Sequence, residues 1–162
     1  MTREIQLTQG FVALVDDEDY EWLNSYKWFS AVGYAARDFD YAPKKHRRVL
    51  MHRLLLGLEY GDPREADHIN HNSLDNRKSN LRICSHKNNQ RNQKAQLGKS
   101  SVCKGVSWRK DTSKWTAYID FDGERFHLGC FSTEDEAAKA YDVAAHRFFG
   151  EFACTNKAMG LR

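Results

Sequence analysis

Polar and apolar residues alternate over 4–15 (EIQLTQGFVALV), which predicts a strand, a turn at Gln9-Gly10 and a second strand. Asp16–Asp19 can cap a short helix running through Glu21-Trp22-Leu23. Lys27–Ala35 and Val49–Leu56 hold further short strand or helix candidates, and PKKHRR (43–48) reads as a basic loop. The Asn-rich stretch from Asp67 to Asn92 reads as a long loop followed by a helix over 85–92, because Asn suits turns better than regular interiors. The last third is clearer. Lys104–Trp108, Trp115–Phe121 and Glu124–Leu128 are rich in β-branched and aromatic residues and predict three strands, with Asp122-Gly123 as a hairpin turn. Thr133 to Glu136 fits a capping box, with Ser132 as a competing cap. Ala137, Ala140, Tyr141, Ala144 and Phe148 then recur at helical spacing up to Gly150.

Charge changes the picture. The 162 residues carry Lys+Arg 25 against Asp+Glu 22, a net +3. By thirds, residues 1–40 stand at −5, 41–100 at +8 and 101–162 at zero, and five of the seven His lie in the middle third. A basic centre is the footprint expected of a polyanion binder, and the acidic start is not a DNA surface. No apolar run reaches the length of a membrane span, and the N-terminus lacks an apolar signal region, so a cytoplasmic, non-secreted protein is expected. Cys84, Cys103, Cys130 and Cys154 show no C-x-x-C spacing and read as small buried hydrophobes, zinc being the lesser alternative.

The Asn-rich stretch also carries a candidate chemistry. Phosphodiester hydrolysis needs a base to deprotonate water and a divalent ion to neutralise the scissile oxygens. A neutral His serves as the base, and Mg²⁺ takes oxygen ligands, often only one or two from protein. Asp67 beside His68 supplies a carboxylate and an imidazole, and the helix that follows supplies the amide of Asn89. On a strand, two adjacent side chains point to opposite faces.

Taken in order, M51-H-R-L54, D67-H68, N76, N80-L81 and N88-N89 resemble the HNH nucleases (ββα-metal, or His-Me finger), in the H-N-N variant of phage and intron-borne endonucleases. The resemblance implies His68 as general base, Asp67 and Asn89 as metal ligands, Asn80 as the Asn that braces the loop and orients the His, and Asn76 as a second brace. Mg²⁺ or Mn²⁺ is the implied ion, in preference to zinc. Two departures stand out: Asn70 where the family has Asp, and His71 where it has Gly, a position that can require φ > 0. His71 and His86 are rival candidates for base or ligand. Residues 1–50 resemble the N-terminal extension of phage proteins of this type, with Gly10, Trp22, Trp28 and Tyr34 as landmarks.

The last third resembles the plant APETALA-type, or ethylene-response-factor (ERF), DNA-binding domain through K104-G-V-S-W-R109, K114-W-T-A-Y-I119, L128-G-C-F131 and E134-D-E-A-A-K-A-Y-D142. In that family a three-stranded sheet enters the major groove and a helix packs behind it. Carried over, Arg109, Trp115, Tyr118 and Arg125 are the groove-facing candidates, with Ser107, Thr116 and His127 weaker. Alternation separates Trp115 from Tyr118 unless Trp115 reaches DNA from the sheet edge. The family often has Arg at the positions of Ser107 and Asp120, so a different target sequence is implied.

The expectation is an α+β chain: an N-terminal extension (1–50) packed on the nuclease, an HNH core of ββα-metal type (51–93), a linker (94–101), and an ERF-like sheet and helix (102–156). It would bind duplex DNA as a monomer and cut it with a divalent metal, as homing or mobile-element endonucleases do. Lys44, Lys45, Arg47, Arg48, Arg53 and Arg77 are candidates for phosphate contacts. The alternative is a sequence-specific DNA-binding regulator whose HNH part is an inactive scaffold.

Overall fold

The computed structural model describes residues 1–43, 45–93 and 100–161. Lys44 and residues 94–99, most of the expected linker, therefore lie outside the described residues. The chain divides into two compact units, Met1–Asn89 and Gln90–Arg162.

In the first unit, β1 (Thr2–Gln6) and β2 (Val12–Asp16) form an antiparallel hairpin, as the alternation predicts. Helix α1 (Asp17–Asn24) follows directly. Asp16 is its N-cap, but its carboxylate does not cap the helix; it accepts the backbone N–H of Lys78 at 2.8 Å. The hairpin also hydrogen-bonds to the distant Asn-rich loop: Leu14 N–H reaches Leu74 O and Asn76 N–H reaches Leu14 O, both at 2.8 Å. Ile5, Leu7, Ala13, Val15, Leu23, Trp28, Ala35 and Met51 form the core, with Leu74 packed against it.

Next come β3 (Phe29–Ala31), β4 (Tyr34–Ala42) and β5 (Lys45–Leu50), a three-stranded antiparallel sheet, and the short helix α2 (Met51–Leu55). The expected basic loop 43–48 is thus mostly strand. The cause is cross-strand charge pairing: Arg48 forks onto Asp38 at 3.0 and 3.2 Å, and His46 contacts Asp40. Likewise Lys78 Nζ meets Glu18 at 2.5 Å and Asp19 at 3.0 Å. The acidic and basic blocks of the sequence therefore interleave in space, and part of the +8 excess is neutralised within the unit. A second hairpin, β6 (Glu65–His68) with β7 (Leu81–Cys84), leads to α3 (His86–Arg91).

The second unit contains β8 (Val106–Arg109), β9 (Lys114–Phe121), β10 (Glu124–Phe131) and α4 (Glu134–Phe149). Strand order is β10-β9-β8, all antiparallel. Asp122 (φ 54°) and Gly123 (φ 86°) make the expected two-residue turn, since both central positions of such a turn need positive φ. Strand β10 runs three residues further than its sequence pattern, past a bulge between His127 and Gly129. Thr133, not Ser132, caps α4: Glu136 N–H donates to its hydroxyl and Thr133 N–H to the Glu136 carboxylate, each at 3.2 Å. Apolar residues of α4 cover Val106, Ala117 and Ile119 on one sheet face. Gly105 (φ 71°) lets Tyr141 close on the backbone; a Cβ there would lie 2.0 Å from the Tyr141 ring. Asp142 accepts from Asn156 N–H at 2.6 Å and Lys157 N–H at 3.0 Å, anchoring the chain after α4. Among the described residues no helix is long and apolar enough to cross a membrane.

Candidate functional site

Alternation along β6 puts Glu65 and Asp67 on one face of the hairpin, and register adds their cross-strand partners Cys84 and Arg82. Arg82 donates Nε at 2.8 Å and Nη2 at 2.7 Å to Asp67 Oδ2. The pair is nearly dry, the side chains being 12% and 7% exposed. Helix α3 closes over the same face. Asn89 Nδ2 donates to Glu65 Oε2 at 2.7 Å, and His86 Nδ1 lies 2.7 Å from Glu65 Oε1. A carboxylate only accepts, so the Asn89 amide must turn its NH₂ toward Glu65 and its oxygen elsewhere. The bonds from Asn89 and then His86 lower the Glu65 pKa. Burial pushes the Cys84 thiol up to about 11, so it is not a thiolate.

His68 ends β6, and its ring leaves on the face opposite Asp67. There it meets His52, ring centroids 4.9 Å apart and edge-on, and Tyr34 at 5.9 Å. Asn76 gives its NH₂ to Leu74 O at 3.2 Å, so Oδ1 is the atom that faces His68 Nε2 at 3.4 Å. That assigns the ring proton to Nε2 and the basic lone pair to Nδ1. Burial lowers the His68 pKa, against the smaller raising effects of Asn76, Asp67 and Asp75, so the neutral base form is favoured. His52 is held down to about 3 by burial, then by His68 and Arg53.

Between β6 and β7 the loop is tied by its own amides. Asn70 and Asn72 each accept the N–H two residues on. Asn80 Oδ1 accepts Asn70 N–H at 2.9 Å, and its Nδ2 donates to Asp75 O at 2.8 Å. His71 takes φ 62°, the left-handed conformation flagged for this position, without glycine. Arg77 forks onto buried Asp75 at 2.7 and 2.6 Å and lowers its pKa, while Asn70 Nδ2 bonds the same carboxylate.

The other basic candidates are placed differently from one another. Lys45 is exposed. Arg47 lies over Tyr60 at 4.1 Å, and Arg48 is paired with Asp38. Arg53 gives its guanidinium to the carbonyls of Glu59, Asp62 and Arg64, so it closes a turn.

On the sheet face away from α4, alternation and register gather Ser107, Arg109, Tyr118, Asp120, Arg125 and His127. Arg109 forks onto Asp111 and Arg125 onto Asp120. Ser107 and Tyr118 share a hydroxyl–hydroxyl bond, and the Arg125 guanidinium sits 5.3 Å from the Tyr118 ring centroid. Trp115, expected at the groove, instead packs with the core on the α4 side, against Trp108 at 5.2 Å, because residues 115, 117 and 119 share that face. Cys130, read as buried, is exposed on the outer face beside His127; the other three cysteines are buried, and all four are free thiols.

Sequence reasoning missed Glu65 and Arg82. Glu65 stood two residues before Asp67, where strand alternation could have placed it on the same face. Arg82 needed the β6–β7 register. The Asp67 carboxylate, where a guanidinium stands in a cation's place, and the Asn89 amide bonded to Glu65 on the same face are the hard oxygen-donor types that suit an Mg²⁺-type ion drawing its remaining ligands from phosphate and water. Among the described residues no three His, Cys, Asp and Glu side chains cluster to cage a metal by themselves.

Two family models match this chain: HNH endonuclease over residues 49–91, and AP2 domain over residues 101–151. An uncharacterized HNH endonuclease of Acanthamoeba polyphaga mimivirus is 28% identical over 92% of this chain and 76% of its own length. An AP2/ERF and B3 domain-containing transcription factor of Arabidopsis thaliana is 49% identical over 35% of this chain, which spans 16% of that protein. An AP2-like ethylene-responsive transcription factor of Oryza sativa subsp. japonica is 44% identical over 35% of the chain and 9% of its own length.

Proposed function

We propose that this chain, which joins an HNH endonuclease segment to an AP2 domain, is a divalent-metal-dependent DNA endonuclease of the homing or mobile-element type. The AP2 sheet selects a duplex site through its outer face, and the HNH segment hydrolyses a phosphodiester there. The observation that carries this reading is the two-sided hairpin. Asp67 and the Glu65-bonded Asn89 lie on one face, and a buried imidazole kept neutral lies on the other, one residue away from Asp67.

Asp67 and the Asn89 amide oxygen would hold Mg²⁺ or Mn²⁺, and Glu65 turns the Asn89 amide. A bound ion of this kind neutralises the scissile phosphate and the departing 3′ oxygen. His68 accepts the proton of the attacking water at Nδ1, because Asn76 engages Nε2. Asn80 ties the loop behind His68 by bonding Asn70 and Asp75. Lys45, Arg47 and Arg77 are the proposed phosphate contacts of the first unit, and Arg109, Tyr118 and Arg125 those of the sheet. One such centre per chain nicks as a monomer.

A second reading is a DNA-binding regulator with an inactive HNH scaffold; the Arg82–Asp67 ion pair, which occupies a proposed ligand, favours it. Plasmid nicking with Mg²⁺ or Mn²⁺ separates the two. The endonuclease reading expects divalent-dependent nicking that His68→Ala abolishes while DNA binding persists. Binding without nicking across mixed sequences would leave the regulator, and equal loss of binding and nicking in His68→Ala would remove His68 as base.

A further inference from the structure

Asp67 carries more than a carboxylate waiting for a cation. Its Oδ2 is gripped twice by Arg82, in a pair almost shielded from water. A guanidinium and a divalent ion compete for one carboxylate, because each is the counter-charge that makes its burial tolerable. We propose that Arg82 is a latch: it keeps divalent metal off Asp67 in the DNA-free protein and releases it when a DNA phosphate takes the guanidinium. The proposal rests on the metal assignment to Asp67 made above.

Three features support it. Arg is the side chain whose planar fork serves a carboxylate and a phosphate in the same bidentate way, so exchanging one for the other loses little hydrogen bonding. Arg82 keeps 12% of its side chain exposed, so the pair is not fully sealed from solvent or from an approaching phosphate. Glu65 already holds the NH₂ end of the Asn89 amide, so the second proposed ligand is fixed in orientation beside the latch. The consequence is reciprocal coupling: DNA raises metal affinity and metal raises DNA affinity by the same factor. Metal loading is then favoured in the DNA complex over the free protein.

The test measures Mn²⁺ binding to the full chain, not cutting. Free Mn²⁺ is followed by electron paramagnetic resonance in the His68→Ala background, which keeps DNA intact. Titrations are run with and without sonicated mixed-sequence duplex DNA, with DNA alone subtracted. The latch expects DNA to tighten Mn²⁺ binding about tenfold, within the usual range of such couplings. Arg82→Gln should bind Mn²⁺ without DNA about as tightly as the parent does with it, and show little further gain. Arg82→Lys, which keeps the charge but loses the fork, should fall between. If Arg82→Gln is too unstable to titrate at room temperature, its melting temperature should rise more with Mn²⁺ than that of the parent, since the ion replaces the lost counter-charge.

Equal Mn²⁺ affinity of the parent with and without DNA overturns the latch. So does an Arg82→Gln protein that binds Mn²⁺ no better than the parent. Asp67→Asn separates the two claims. If it loses Mn²⁺ binding while Arg82→Gln changes nothing, the metal centre stands and the latch falls. If Asp67→Asn binds Mn²⁺ as the parent does, the centre is elsewhere and both fall.

Discussion

The rings of His52 and His68 meet edge-on, 4.9 Å between centroids, and each is buried. His52 Nδ1 has no hydrogen-bond partner among the described residues. Neither ring can take a proton without charging a dry site beside the other, and His52 is accordingly held at about 3 against an ordinary 6.5. In the unfolded chain the ring protonates near 6.5, while in the folded unit it does so only near 3. Stability is therefore full above pH 6.5 and falls as pH drops toward 3, by at most about 1.4 kcal/mol per pH unit. His68, also lowered by burial, acts in the same direction. Thermal melts should show a lower midpoint at pH 5 than at pH 7, and His52→Phe should flatten that dependence. An unchanged slope would mean that His52 is already protonated or accessible at pH 5.

Asn80→Ala should cost about 1–3 kcal/mol, because the buried Asp75 carbonyl and the part-buried Asn70 N–H lose their partner together. Denaturant unfolding of the full chain measures the loss. Nicking by this variant should fall more than DNA binding, since the loop it ties lies behind His68.

Gly105→Ala should destabilise the second unit by about 3 kcal/mol. The added Cβ would lie 2.0 Å from Tyr141 and 2.6 Å from Tyr118 O, at a φ that L-residues adopt at a cost. Calorimetry should show the transition of that unit moving down while the first unit's stays. A small shift would mean that Tyr141 moves aside freely.

Trp115→Ala and Arg109→Ala should separate cleanly. Trp115 is partly buried against the core, so its loss should cost about 2–3 kcal/mol of stability, below the full cost of a core Trp. Arg109 is half exposed on the outer face, so its loss should leave melting unchanged, weaken DNA binding and make its salt dependence shallower. If Arg109→Ala binds DNA as tightly as the parent at every salt concentration, the outer face is not the reading surface.

The second unit was largely legible in the residue pattern. Three strands, the Asp122-Gly123 turn, the Thr133 cap and the helical stripe from Ala137 are signals read within a few residues, where backbone sterics and local hydrogen bonds decide the outcome. The order of Asp67, His68, Asn80 and Asn89 was equally plain, and the resemblance marked His71 as a position that can require the positive φ it adopts. What the chain order could not supply was pairing across space. The strand over Lys45–Leu50 depends on Asp38 and Asp40 lying opposite Arg48 and His46, which turned a run of positive charge into a sheet edge. The side of the sheet that takes Trp115 depends on where α4 packs. The grip of Arg82 on Asp67 depends on a register set across a twelve-residue loop, and that loop is itself tied by Leu14 and Asp16 from the chain's first hairpin. Local sterics are written residue by residue, whereas the partner that a buried charge finds is settled only when distant segments close together and leave it no water.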